Sequence, residues 1–374
     1  AMLVLMAVRV PIAISMFVPG ALGYMALSGW LPLMSHLKGA VYSRVSIYDL
    51  SVIPLFMLMG AFAVHGGLSK ALFDFANALL GRFKGGMAMA GVLACAAFGS
   101  ISGSTVATTA TIAQVAYPEM RRINYSGRLA TAALATGGTM GVLLPPSVTL
   151  MVYAILTEQN ITKMFLAAYI PALLAAVGYL IAIAVIVRIH PDQAPQAKAA
   201  TASELMMTAL NVWPIAAIFL VVFGGIYGGV FTATEGAAIG NVLTFAITLL
   251  RREMTFDKLV ASIRTTAQTS GMIFLIFIGA DMINASLALS QLPAQLADMV
   301  GHLQISPLVV MGGIMIFYII LGCVMDEMSM ILLTVPTLFP VILGMDFFGL
   351  NPSDKALWFG ILILTVCEIG MIFP

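Results

Sequence analysis

Residues 99–111 read GSISGSTVATTAT, a run of hydroxyl side chains framed by glycines. Ser100, Ser102, Ser104, Thr105, Thr108 and Thr109 offer oxygen ligands without charge, a donor set that suits Na⁺ away from bulk water. Gly99 and Gly103 permit a tight chain reversal between them. A second stretch, ATGGTMGVLLPPS at 135–147, places Gly137, Gly138 and Gly141 ahead of two adjacent prolines. That cluster fits poorly in a continuous helix, so a break is expected between Gly137 and Pro146. A broken helix frees backbone groups, and in apolar surroundings these need partners such as an ion or a carboxylate. Acids in apolar sequence are functional candidates by default: Asp326 and Glu327 in GCVMDEMS, and Asp281, with Asn284 beside it, in the segment 259–290. Glu158 and Glu235 stand at segment ends and read as helix caps. Plainer readings exist: Gly99 and Gly103 match the spacing that lets helices pack closely, and a proline can simply kink a helix.

The surroundings are far from aqueous. Of 374 residues, 61% are hydrophobic and 9% charged, with net charge +1, and the mean hydropathy is +1.05. Soluble domains carry about 25% charged residues, so the chain is expected to be an integral membrane protein. No basic block suggests nucleic acid. Cys95, Cys323 and Cys367 lie far apart without metal-type spacing and read as packing thiols. No signal-peptide pattern is present. The chain opens AMLVLMAVRVP and closes EIGMIFP, in apolar sequence at both ends, and reads as a fragment lacking part of its first and last helices.

Apolar segments fall at 2–30, 50–66, 86–99, 104–117, 128–157, 163–188, 206–230, 235–250, 259–290, 306–322, 327–343 and 355–374. A spanning helix needs about 20 apolar residues. The legs 86–99 and 104–117 are too short, and cations flank the pair: Arg82 and Lys84 before it, Arg121, Arg122 and Arg128 after it. Cytoplasmic loops collect Lys and Arg, so both ends are expected inside, making a re-entrant hairpin with SISGS at its tip. Counting onward keeps Arg188, Lys198, Arg251, Arg252, Lys258 and Arg264 inside and leaves Lys38, Arg44, Lys163 and Lys355 outside. The second short pair, 306–322 and 327–343, is flanked by Asp298, His302, Asp346 and Asp354, and is expected to enter from the opposite face. The segment 69–80, SKALFDFANALL, reads as an amphipathic helix along the inner interface.

An internal repeat supports the arrangement. Gly60 pairs with Gly279, Ser104 and Pro118 with Asp326 and Pro340, and GVLLP at 141–145 with GMIFP at 370–374, at offsets between 219 and 229 residues. The expected organisation is a first inverted repeat over 1–188, with interfacial helix 69–80, hairpin 86–117 and broken helix 128–157. A polar cytoplasmic linker at 189–204 follows, then a second repeat over 205–374 with hairpin 306–343. The expected fold is thus an all-α polytopic membrane protein of inverted repeats with two re-entrant hairpins, as in secondary transporters.

The motifs SGSTVATTATIAQVAYPEM, GGTMGVLLPPSVTLMVYAILTEQNITKMF, GVFTATEGAAIG and GCVMDEMSMILLTVPTLFPV resemble the large membrane subunit of TRAP (tripartite ATP-independent periplasmic) transporters, in family order over almost the whole chain. The resemblance implies uptake of an organic acid of the sialic acid or C4-dicarboxylate type, driven by a Na⁺ gradient and an elevator motion, without enzymatic activity or a resident cofactor. It implies two protein partners, an extracytoplasmic binding protein and a small membrane subunit of four helices. Carried over by motif, sodium sites fall on Ser102, Gly103, Ser104, Thr105, Gly138, Thr139 and Pro145, and on Gly322, Asp326 and Gly370. The substrate pocket is expected to draw on Ser100, Pro146, Ser147, Asp281 and Asn284. Two departures stand out. GMIFP replaces the family's GMITPPVG, with Phe373 for the usual Thr, and Ala233 stands where Pro is frequent.

Two other classes share parts of this pattern. A binding-protein-independent sodium/dicarboxylate or citrate symporter also uses hairpins, but carries Ser-Asn-Thr at both tips where this chain has SGST and DEMS. An intramembrane serine protease needs a general base beside its serine, and among the four histidines only His65 lies in an apolar segment. A channel would also use breaks and hairpins to line a pore, yet nothing in the sequence signals a ring.

Overall fold

The computed structural model describes residues 1–195, 200–302 and 306–373. Lys198, the 196–199 part of the linker and Pro374 lie outside the described residues. The described chain is helical throughout: α1 (Met2–Ala7), α2 (Ile12–Ser28), α3 (Trp30–Val45), α4 (Val52–His65), α5 (Leu68–Leu80), α6 (Gly86–Ser102), α7 (Thr105–Arg122), α8 (Gly127–Leu143), α9 (Val148–Leu156) and α10 (Ile161–Ile189), followed by α11 (Ala202–Asn211), α12 (Trp213–Tyr227), α13 (Ala233–Leu250), α14 (Phe256–Leu289), α15 (Leu292–His302), α16 (Pro307–Gly322), α17 (Glu327–Leu343) and α18 (Pro352–Ile372). Among the described residues five helices are long and apolar enough to cross a bilayer, or up to seven if each bent pair is one span. The bent pairs are α8–α9, at 41°, and α11–α12, at 46°.

The chain forms two compact units. One comprises Ala1–Ser51, Val152–Met164 and Ala267–Pro374; the other comprises Val52–Met151 and Phe165–Thr266. The second holds the first hairpin. Its two ends lie together: the backbone N–H of Met87, at the start of α6, donates to the Tyr125 hydroxyl just beyond α7 at 3.3 Å. The same end of the unit receives the last turn of α10. A Cβ built on Gly85 would lie 2.9 Å from Val187, and Ser126 N donates to Gln193 O at 2.8 Å. Arg82, Lys84, Arg121, Arg122 and Arg188 therefore share one end of this unit, as a re-entrant hairpin requires.

Helix α5 buries Leu68, Leu72, Phe73 and Ala76 and exposes Lys70 and Asp74, as its amphipathic pattern predicts. It packs against α4, α6, α7 and α11. Although Asp74 reaches the surface, partial desolvation of its carboxyl against neighbouring helices raises it above its usual range, with Lys70 opposing and Glu119 adding to the effect.

Four expectations need correction. The legs of the first hairpin are 17 and 18 residues long, because the hydroxyl-rich and arginine-bearing ends, cut off by apolarity, continue the helical hydrogen bonding. The segment 2–30 is α1 and α2, separated where Arg9 adopts φ 67° ahead of Pro11. Helix α3 crosses residues 30–45, where mixed polarity gave no apolar run. The segment 206–230 is two helices, and α11 exposes Met206, Met207 and Leu210.

Candidate functional site

Gly103 adopts φ +62° between α6 and α7, the left-handed conformation that closes a helix at little steric cost. Its N–H donates to Gly99 O at 2.8 Å. Ser104 caps α7 by accepting from Ala107 N at 3.4 Å. Across the reversal Ser102 Oγ and Thr108 Oγ1 are 2.6 Å apart and hydrogen-bonded, and both residues are buried. The Thr109 hydroxyl donates to Thr105 O at 2.8 Å, and Ser100 Oγ to Ala97 O at 2.8 Å. The tip thus gathers hydroxyls on a closed, buried turn.

The break in the next helix lies at 144–147, inside the expected window. Gly137, Gly138 and Gly141 remain helical, which corrects the expectation that they break the chain. They admit the hairpin instead. A Cβ on Gly137 would meet Val92 of α6 at 3.1 Å, one on Gly138 would meet Thr109 of α7 at 1.7 Å, and one on Gly141 would meet Thr108 Oγ1 at 2.7 Å and Ser104 O at 3.0 Å. The prolines end the helix. Lacking N–H groups, Pro145 and Pro146 remove the donors that a continuing helix would aim at the carbonyls of Gly141 and Val142. The bond between these prolines is cis. The broken strand of chain lies on the hairpin tip, since a Cβ on Gly103 would be 3.3 Å from Pro146 O.

Of the first set of site residues, Ser102, Gly103, Ser104, Thr105, Gly138, Pro145, Pro146 and Ser147 are thus collected around one tip and one break. Ser147 is fully buried and caps α9, accepting from Leu150 N at 3.2 Å. Thr139 points elsewhere. It donates to Thr136 O at 2.6 Å and bonds the Tyr179 hydroxyl of α10 at 3.2 Å. Ser100 faces back along its own helix. Thr108, offered by the sequence as a hydroxyl but outside the motif-based sodium set, belongs to the site's construction, as do Gly99 and Gly141.

The other unit builds a second tip. Asp326 caps α17: Ser329 N donates to Oδ2 at 3.3 Å, and Ser329 Oγ to Oδ1 at 2.5 Å. The legs α16 and α17 are joined by a hydrogen bond between the Tyr318 and Thr334 hydroxyls, both buried. Gly322 meets Gly370 of α18, and a Cβ on Gly322 would lie 2.8 Å from Gly370 Cα. Asn284 of α14 donates to Leu332 O at 3.0 Å, with its Oδ1 buried and unpartnered. Asp281 is drawn to the N-terminal region, its Oδ2 lying 3.6 Å from His36 Nε2. That separation is long for a hydrogen bond. Glu235 closes a capping box with Thr232 on α13, as expected of a helix start. Glu158 is exposed at φ 54° after α9 and caps no helix start. Among the described residues no group of His, Cys, Asp and Glu could hold a transition metal.

Two hairpins with apolar legs, the first docked on a helix broken within apolar sequence, define a membrane transporter architecture. A solved structure shares the fold: the YdaH transporter of Alcanivorax borkumensis, described as having an unusual topology, aligns with TM-score 0.56 over 92% of this chain and 78% of that one, at 13% identity. The family is shown by sequence. The profile described as "Tripartite ATP-independent periplasmic transporter, DctM component" matches residues 1–374, and the chain belongs to that family. Its curated relatives include the C4-dicarboxylate TRAP transporter large permease protein DctM of Pseudomonas aeruginosa, 32% identical over 87% of this chain and 75% of that protein. The 2,3-diketo-L-gulonate TRAP transporter large permease protein YiaN of Escherichia coli is 29% identical over 98% and 84%. The sialic acid TRAP transporter permease protein SiaT of Haemophilus influenzae is 27% identical over 100% of this chain and 59% of its own length. The chain is therefore an integral membrane component of a transporter, a class distinct from enzymes.

Proposed function

We propose that this chain is the substrate-translocating subunit of a TRAP system in a cytoplasmic membrane, taking up an organic acid by Na⁺ symport. One observation carries the reading: buried tip hydroxyls, Ser102 and Thr108 among them, lie against a helix end where two prolines remove the donors for the Gly141 and Val142 carbonyls. Uncharged oxygens of these two kinds suit Na⁺, and a bound cation in turn favours a carboxylate beside it. The relatives named above for C4-dicarboxylate, sialic acid and 2,3-diketo-L-gulonate take carboxylate substrates, and the class of substrate proposed here follows them.

The two repeats are read as inverted, with the ends bearing Arg82, Arg121, Arg188 and Arg251 cytoplasmic. Each hairpin tip is read as part of a Na⁺ site, and the transport cycle is read as an elevator motion. A small four-helix membrane subunit and an extracytoplasmic binding protein complete the assembly, as a tripartite family requires.

Proteoliposomes holding this chain with its small subunit, given binding protein and labelled organic acids, test the reading. Saturable uptake is expected only with an inward Na⁺ gradient and only with binding protein present. Uptake without binding protein would favour the simpler dicarboxylate symporter, and uptake indifferent to Na⁺ would refute the coupling.

A further inference from the structure

The two hairpins share a feature outside the hydroxyl and carboxylate chemistry of their tips. In the unit that holds the first hairpin, α6 crosses α8 glycine on glycine: a Cβ on Gly99 would lie 2.3 Å from Gly141 Cα. In the other unit α16 crosses α18 in the same way. A Cβ on Gly370 would lie 2.9 Å from Ile319 O and 3.1 Å from Gly322 Cα. Each crossing is set just before a tip, Gly99 three residues ahead of Ser102 and Gly322 four ahead of Asp326, and the first falls at the last turn of α8 before its break. Real Cβ atoms essentially never approach other atoms this closely, so each crossing holds backbone against backbone.

The first crossing also governs the tip directly. Gly141 faces Gly99 on one leg and both Ser104 O and Thr108 Oγ1 on the other. Any side chain at 141 therefore pushes Thr108 away from its 2.6 Å partner Ser102 and parts the hydroxyls from the helix end. We propose that Gly141 and Gly370 are positioning residues that set the spacing between each hairpin tip and the helix on which its hairpin docks. Neither contributes a side-chain atom. Each acts by permitting an approach that places ligand oxygens from two chain segments within reach of one cation. The inference rests on the Na⁺ reading above and adds to it a geometric requirement remote from ligand identity.

The test measures half-saturating Na⁺ for uptake in the complete proteoliposome system, and the Na⁺-induced rise in melting temperature of the purified membrane complex. The variants are Gly141→Ala, Gly370→Ala and Gly91→Ala. The last adds a methyl between the same two helices as the first, but far from the tip, where it meets only the movable ends of Leu134 and Met120 at 3.0 and 3.3 Å. Displacing a ligand set by a fraction of an ångström to 1 Å loosens a site by on the order of tenfold or more. Half-saturating Na⁺ should thus rise about tenfold or more in Gly141→Ala and in Gly370→Ala, with the maximal rate changed far less, while Gly91→Ala titrates as wild type. Should Gly141→Ala fail to accumulate, Gly370→Ala, with its milder contacts, carries the test alone. Wild-type Na⁺ titration in the crossing variants would overturn the inference, as would an equal shift in Gly91→Ala, which would mark a general packing effect. A wild-type protein whose melting and uptake both ignore Na⁺ would overturn the sodium reading itself, and is thereby told apart from a failure of positioning alone.

Discussion

Ser102→Ala is the perturbation that most sharply separates a ligand from a strut. Ser102 Oγ and Thr108 Oγ1 are 2.6 Å apart, with side chains 5% and 0% exposed. Removing one hydroxyl leaves the other buried without its partner, at a cost of about 1–3 kcal/mol. Thr108→Val strands Ser102 in the same way and should cost about as much. Removing both at once approaches neutrality, because no buried polar group is left unpaired. Melting temperature should therefore fall in each single variant and recover in Ser102→Ala/Thr108→Val. Sodium dependence should behave oppositely. If the hydroxyls face the cation, the double variant loses two oxygens and needs at least as much Na⁺ as the poorer single one. A loss of about 1–3 kcal/mol of binding corresponds to roughly 5- to 150-fold in half-saturating Na⁺. The assay pairs thermal melting with a Na⁺ titration of uptake on the same preparations. A double variant that regains both stability and wild-type Na⁺ titration would make the pair a mere clasp and remove the central support for the coupling scheme.

Other outcomes follow from single contacts. Cysteines placed at Arg82 and Arg122 should both be labelled by an impermeant thiol reagent from one side of the membrane only; labelling from opposite sides would unmake the re-entrant hairpin. Lys355→Met should destabilise the protein by about 1–3 kcal/mol, since the buried Lys355 Nζ donates to Leu343 O at 3.2 Å and Met345 O at 2.5 Å and closes the end of α17. A melting temperature unchanged in that variant would show the contact to be idle. Thr232→Ala opens the capping box of α13, whose Glu235 N–H donates to Thr232 Oγ1 at 3.3 Å. It should lower stability by about 0.5–2 kcal/mol, read by the same melting assay, and leave Na⁺ affinity as it was.

The sequence made legible whatever depends on local pattern. The outline of the first hairpin followed from two apolar legs between cations, though the legs are longer than apolarity alone suggests, and Met87 bonded to Tyr125 shows that its ends meet. The face of α5 followed from spacing alone. The break at 144–147 followed from paired prolines, because a missing N–H is a property of the residue and not of its surroundings. What stayed hidden depends on contacts distant in the chain. Gly137, Gly138 and Gly141 read as helix breakers by propensity, yet tertiary packing overrides propensity, and the approach of two hairpin legs explains them. Asp281 read as a pocket acid, but its neighbour His36 is remote in sequence. Asp326 read as an ion ligand, and the structure shows its carboxylate already engaged by Ser329. Thr139 stands in a glycine-rich motif and still turns toward Tyr179, since a helix presents successive residues on different faces.

One dimension of the molecule constrains how it can lie in a bilayer. Helix α14 runs unbroken for 34 residues, about 51 Å at 1.5 Å per residue, against a hydrocarbon slab of about 30 Å. Even the steepest tilts common in membrane proteins, about 40°, cannot bury that length. A stretch of the rod must lie outside the hydrocarbon, and the charge distribution selects its beginning, where Asp257, Lys258 and Arg264 are found. The residues there belong to water and headgroups, and the buried Ser262, its Oγ 2.9 Å from His65 Nδ1, ties this end of the rod to the last turn of α4.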